Sequence, residues 1–203
     1  MKNEKNSASK PTPAADLSKL SQEERRKLLA QLLTEKKVAP GKRFPLAPAQ
    51  ERLWFIDALQ PGKNVYHIPI TLRLTGSPDA NLIQQCLSEI ITRHEILRTS
   101  FVSKDGIPQQ EIVPELPLPP LVREDDPGEL YQKPFQLHEP PLLRAQLVLE
   151  SPESAILHLV VHHIIADYWS LRILLRELQH LYAARQSAKP SPLPELRIQY
   201  LDY

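Results

Sequence analysis

One cysteine in 203 residues rules out an internal disulfide. No apolar run approaches the ~20 residues that a membrane-spanning helix needs. Met1-Lys2-Asn3-Glu4-Lys5 is not followed by the apolar core of a signal peptide. A net charge of +1 gives no bulk pull toward nucleic acid or anionic lipid. The expectation is a cytoplasmic chain with no nucleic-acid and no membrane partner. Cys86 itself falls with Leu82, Ile83, Leu87 and Ile90 on one apolar face at helical spacing. It reads as plain core, where unpaired cysteine is common. Proline, by contrast, is plentiful. Its 21 residues are about twice the usual ~5% share and gather in connecting segments.

The chain is long enough for one good core. Residues 1–42 read as a polar tail (1–16), an amphipathic helix (21–36) and a linker (39–42). In that helix Ser21 and Glu24 form a capping-box pattern, and Leu28, Leu29, Leu32 and Leu33 make one stripe. The stripe can pack on the neighbouring lobe or dock another subunit. Residues 43–203 alternate helix and strand patterns. Residues 48–59 suit a short helix with a proline in its first turn. Alternation over 66–74 gives a strand, and Pro69 places it at an edge or kinks it. Pro78 opens a helix running to Ile91. Lys104-Asp105-Gly106 joins two strands as a hairpin. Residues 114–141 read as proline-rich loop with little regular structure. Two further strands, 142–150 and 154–162, flank Ser151-Pro152-Glu153. Residues 169–186 form the longest helix, and 188–194 a linker.

Chemistry concentrates at Val160-Val161-His162-His163-Ile164-Ile165-Ala166-Asp167-Tyr168-Trp169-Ser170. A buried strand ends there and a loop feeds the longest helix. An imidazole at such a place can act as a general base near neutral pH. An acid four residues on can bind a cation or orient the loop. The plainer account is two loop histidines beside an N-capping acid. Strand parity sends adjacent side chains to opposite faces, so only one of the two histidines can face a given cavity. Same-face His158 and His162 would lie roughly 13 Å apart, too far for one metal ion, and no metal is expected.

His162-His163-Ile164-Ile165-Ala166-Asp167 resembles the H-H-x-x-x-D-G motif of the condensation domains of nonribosomal peptide synthetases. Ala47-Pro48-Ala49-Gln50-Glu51-Arg52-Leu53-Trp54-Phe55 is similar to that family's S-x-A-Q-x-R-L-W. Arg93-His94-Glu95-Ile96-Leu97-Arg98-Thr99-Ser100-Phe101 is similar to its R-H-E-x-L-R-T-x-F, and Tyr200-Leu201-Asp202-Tyr203 to the start of Y-x-D-Y-A-V-W. The resemblance covers residues 43–203.

It implies an α/β fold, an α+β sandwich like chloramphenicol acetyltransferase: a mixed, mostly antiparallel sheet flanked by helices. It implies an acyltransferase that joins a donor acyl or peptidyl thioester to the amine of an acceptor aminoacyl thioester. No cofactor is bound directly; both substrates ride on the phosphopantetheine of carrier proteins. The implied partners are peptidyl carrier domains, an adenylation domain and a second condensation lobe. His163 would be the catalytic residue. His162, Asp167, Arg93 and Arg98 would support the site, with Arg98 the preferred buried partner of Asp167. Gln50, Arg52, Tyr168, Trp169 and Ser170 are tunnel candidates, while His94 reads as structural and His67, His138 and His180 as surface residues.

Three departures stand out. Tyr168 replaces the motif glycine. The stretch between Pro114 and Phe135 is short and lacks a helix expected there. The second lobe is missing, so 43–203 reads as an amino-terminal lobe truncated before it and inactive alone. The alternatives are a non-catalytic module that docks carrier proteins or a subunit, and a coenzyme A-dependent relative.

Overall fold

The structure, a computed structural model, describes residues 43–116, 121 and 126–202. The helix read over residues 21–36 and the linker after it lie outside the described residues. Among the described residues, six strands form two three-stranded sheets. In chain order the elements are β1 (Arg43–Pro45), α1 (Pro48–Leu59), β2 (His67–Thr75), α2 (Ala80–Arg93), β3 (Thr99–Lys104), β4 (Ile107–Ile112), α3 (Gly128–Gln132), β5 (Leu143–Ser151), β6 (Ser154–His162) and α4 (Tyr168–Gln186). Short 3-10 turns occupy Glu95–Arg98 and Tyr200–Asp202. The sheet orders are β1-β4-β3 and β2-β6-β5, and every pairing among the described residues is antiparallel. No helix among them is long and apolar enough to cross a membrane.

Local chemistry accounts for these boundaries. Asp105 and Gly106 both take positive φ (52° and 79°), as a two-residue hairpin turn matched to strand twist requires. Pro69 pairs with Val160 on β2, an edge strand, where its missing N–H costs no ladder bond. Asp79, rather than Pro78, opens α2, accepting from the N–H groups of Asn81 (2.7 Å) and Leu82 (3.2 Å). Residues 114–141 are not all loop. Gly128–Gln132 forms one helical turn, because Leu130 and Phe135 have core to bury against.

β6 is central in its sheet and buried on both faces. One face, with Leu157, Leu159 and Val161, joins the apolar cluster that includes Ile83, Cys86, Leu87 and Ile90 of α2 and Leu171, Leu174, Leu178 and Leu181 of α4. The other face carries His158, Val160 and His162. There the segment around α3 packs: the Tyr131 hydroxyl bonds His158 Nδ1, and Phe135 lies edge-on to His162. Packing on both sides fixes the strand register, since a one-residue slip would bury histidines among leucines.

Candidate functional site

β6 carries its strand geometry one residue past its end. The His162 N–H donates to the Leu142 carbonyl (3.0 Å), and the His163 N–H to the Tyr66 carbonyl (2.8 Å). The chain then turns, with Ile165 N–H on the His162 carbonyl at 3.1 Å. Parity therefore separates the two rings. His162 is 2% exposed and lies among Tyr66, His67 and Phe135, with ring centroids 6.1–6.3 Å away. Its Nδ1 accepts the Ile164 N–H (3.1 Å), so the neutral ring carries its proton on Nε2. Burial, reinforced by the neighbouring His67 and His163, holds its pKa down to about 4. His163 faces outward. Its Nδ1 lies 2.9 Å from the Ala166 carbonyl, which can only accept. The proton is therefore on Nδ1, and Nε2 keeps its lone pair for a substrate.

Asp167 caps α4. Its Oδ1 accepts from the Ser170 N–H (2.8 Å) and the Ser170 hydroxyl (2.7 Å), and these bonds hold its pKa below the usual carboxylate value. The expected ion pair with Arg93 or Arg98 does not form among the described residues. Asp167 is exposed, and the free N–H groups of the first helical turn lie within its local reach. Both arginines are engaged elsewhere. Arg93 Nε donates to Glu177 (3.3 Å), while Arg98 binds Glu95 (3.1 Å) and the Val113 carbonyl (2.7 Å). Tyr168, in place of the motif glycine, is the first residue of α4 and does not take positive φ, so it is unstrained there.

A cavity of about 390 Å³ opens beside the turn. Of the residues picked out by sequence, it gathers His163, Asp167, Ser170 and Gln50, and His94 joins them. Gln50 is 2% exposed. Its carbonyl oxygen accepts the Ala47 N–H (3.0 Å) at the start of α1, and its amide donates to the Ile164 carbonyl (3.4 Å), tying α1 to the turn. Arg52, Tyr168 and Trp169 do not line the cavity. They lie on outward helix faces, Tyr168 77% and Trp169 67% exposed, with the Arg172 guanidinium 5.8 Å from the Trp169 ring centre. His67 is not a bare surface residue. It is half-buried with Nδ1 on the Tyr131 carbonyl (3.1 Å), because its edge strand is covered by α3. No cluster suited to a metal ion occurs among the described residues.

Sequence reasoning missed Glu177. It is 7% exposed, and its carboxylate meets His94 Nε2 (2.7 Å) and Arg93 Nε (3.3 Å), locking α4 onto the Arg93–Arg98 segment. The signal was present. Glu177 sits three residues after Leu174 and four before Leu181, inside the buried stripe, and an acid there demands a partner. Gln199 was missed too. Its amide donates to the Arg93 carbonyl (3.0 Å) and its oxygen accepts the Glu95 N–H (3.1 Å).

Known proteins are similar to this chain in sequence and in fold. The chain is 40% identical over 174 residues to chondramide synthase cmdD of Chondromyces crocatus, covering 79% of this chain and 4% of that protein. It is 39% identical over 181 residues to malpibaldin synthetase of Mortierella alpina, covering 82% of this chain and 3% of that one. It thus spans only a small part of these relatives. Among solved structures it is similar to the X-domain from teicoplanin biosynthesis, seen in complex with OxyB (TM-score 0.71, 29% identity, 82% of this chain and 38% of that one). SgcC5 from Streptomyces globisporus is also similar (TM-score 0.64, 35% identity, 75% and 39%). The first condensation domain of the CDA synthetase, 23% identical with a TM-score of 0.67, shares the fold. The condensation-domain family model matches residues 41–203, and with the paired histidines, the capped turn and these relatives in agreement, the chain belongs to the condensation-domain family.

Proposed function

We propose that this lobe supplies His163 for amide formation between a carrier-bound acyl or peptidyl thioester and the amine of a carrier-bound aminoacyl thioester. The amine nitrogen attacks the thioester carbonyl. A C–N bond forms and the C–S bond breaks. His163 Nε2 takes the N–H proton and passes it to the departing phosphopantetheine thiolate, which leaves as the thiol. The observation that carries the reading is the Ala166 carbonyl fixing Nδ1–H on His163, which leaves Nε2 as acceptor at an open cavity. Orientation contributes at least as much as proton transfer, since an acceptor amine is only modestly basic. No cofactor binds directly. The partners are carrier domains, an adenylation domain and a second lobe, and the setting is cytoplasmic.

The test gives the purified chain an acyl-loaded and an aminoacyl-loaded carrier and seeks the amide product by mass spectrometry. The chain alone is expected to be silent. Product is expected when a separately made second lobe is added, and is lost with His163→Ala. Product from the chain alone would show that a second lobe is not needed. A docking module is the second reading, favoured by the similarity to an X-domain found in complex with OxyB. Carrier binding without product under complementation would favour it. A coenzyme A donor fits less well, since among the described residues no lysine or arginine lines the cavity to meet its phosphates.

A further inference from the structure

We propose that His94 is a second substrate-binding imidazole of the His163 cavity, accepting an N–H from the acceptor amine. The proposal rests on the amide-forming reading above. His94 lines the same cavity as His163. Its Nε2 lies 2.7 Å from Glu177 Oε2, and an ionised carboxylate only accepts, so Nε2 carries a proton. Arg93 already balances Glu177 from the other side. In the neutral ring Nδ1 is an acceptor. It has no hydrogen-bond partner among the described residues, and it is not among the buried unsatisfied atoms, so it is open to solvent.

His94, His163 and Asp167 line this cavity together, and His94 also borders a neighbouring one with Arg176 and His180. Each of the three carries an acceptor, and among the described residues no lysine or arginine lines the His163 cavity beside them. An amine is the substrate group that needs several acceptors at once. One N–H can rest on His94 while His163 takes the proton lost in reaction. The remaining walls, Leu53, Ile96, Leu97, Ile164 and Ile173, suit an aliphatic side chain.

The probe is leucinamide, which has the free amine and cannot react, compared with N-acetylleucinamide, whose amine is blocked. Nitrogen NMR of isotope-labelled histidine in the whole chain reads both rings. Leucinamide is expected to shift His94 Nδ1 and His163 Nε2, and the acetylated probe to shift neither. His94→Phe is expected to weaken leucinamide binding about tenfold, the loss of one hydrogen bond to an ionised group. His94→Asn, with an acceptor near the Nδ1 position, is expected to restore most of it. Equal shifts from both probes, no shift at all, or unchanged affinity in His94→Phe would overturn the proposal. If His94→Phe fails to fold, the two-probe comparison on the unmodified chain still decides. Loss of product in His163→Ala with no amine signal at His94 removes this inference alone. An amine signal at His94 with His163→Ala fully active removes the reaction reading instead.

Discussion

His162 and His163 are joined by one peptide bond and sit in opposite surroundings. His162 belongs to a dry face of the β2-β6-β5 sheet shared with His67 and His158, and burial lowers the pKa of all three. His163 belongs to a solvent-open cavity shared with His94, Asp167 and Gln50. On the dry face an imidazole serves as a neutral hydrogen-bonding spacer that keeps strand and loop together. In the cavity its Nδ1 is held by the Ala166 carbonyl, and the proposed reaction uses its Nε2. The difference comes from strand parity and from what packs on each face, not from the residue type.

Exchanging the perturbation between the two neighbours tests this most severely. In the complemented carrier assay, His163→Ala is expected to lower turnover about 10²–10⁴-fold, the usual range for a general base, with little change in melting temperature. His162→Ala should act on stability instead, costing about 3 kcal/mol through the cavity it leaves, as read by urea denaturation. Equal effects on both quantities in both variants would erase the distinction.

Glu177 joins the two worlds, since it is buried like His162 but holds a cavity residue. Glu177→Ala is expected to cost about 3 kcal/mol, because Arg93 loses a largely buried counter-charge and His94 the acceptor of its Nε2–H. Glu177→Gln should recover part of that. A Glu177→Ala chain with an unchanged urea midpoint would mean the trio contributes nothing to the lobe.

The dry face also predicts the pH dependence. Unfolded His162 takes up a proton near its ordinary pKa of 6.5, while the folded ring resists until about 4. Between those values the unfolded chain binds more protons, so stability falls as pH drops, by up to about 3 kcal/mol from His162. His67 and His158 shift in the same direction and add to the loss. The urea midpoint should decline from pH 7 toward pH 4, and His162→Phe should flatten that decline. A midpoint that holds steady across this window would contradict burial of neutral rings.

Much of this was legible in the sequence because its signals are local. Parity of Leu157, Leu159 and Val161 against His158, Val160 and His162, the Asp105-Gly106 turn and the edge proline at Pro69 each follow from a short window. What was not legible depends on contacts across long separations. Glu177 meets His94 across 83 residues, and His67 meets Tyr131 across 64. The choice of partner for Asp167 was open for a related reason. A nearby cap and a distant arginine both satisfy a carboxylate, and only the path of the chain says which one is in reach.

The smallest effect tests that choice. If Asp167 acts as a helix cap, Asp167→Ala should cost about 1 kcal/mol, and Asp167→Asn should cost far less, because an amide oxygen caps nearly as well. If a buried ion pair held the turn instead, both substitutions would strand an arginine and cost about 3 kcal/mol each. Arg98→Ala gives the converse control. It removes bonds to Glu95 and the Val113 carbonyl, so it should destabilise the Glu95–Arg98 turn without changing the response to Asp167→Ala. A double-mutant cycle between Asp167 and Arg98 should therefore close near zero. A coupling well above about 0.5 kcal/mol would restore the ion pair, and the outward His163 would then be held by charge rather than by the cap of the helix that follows it.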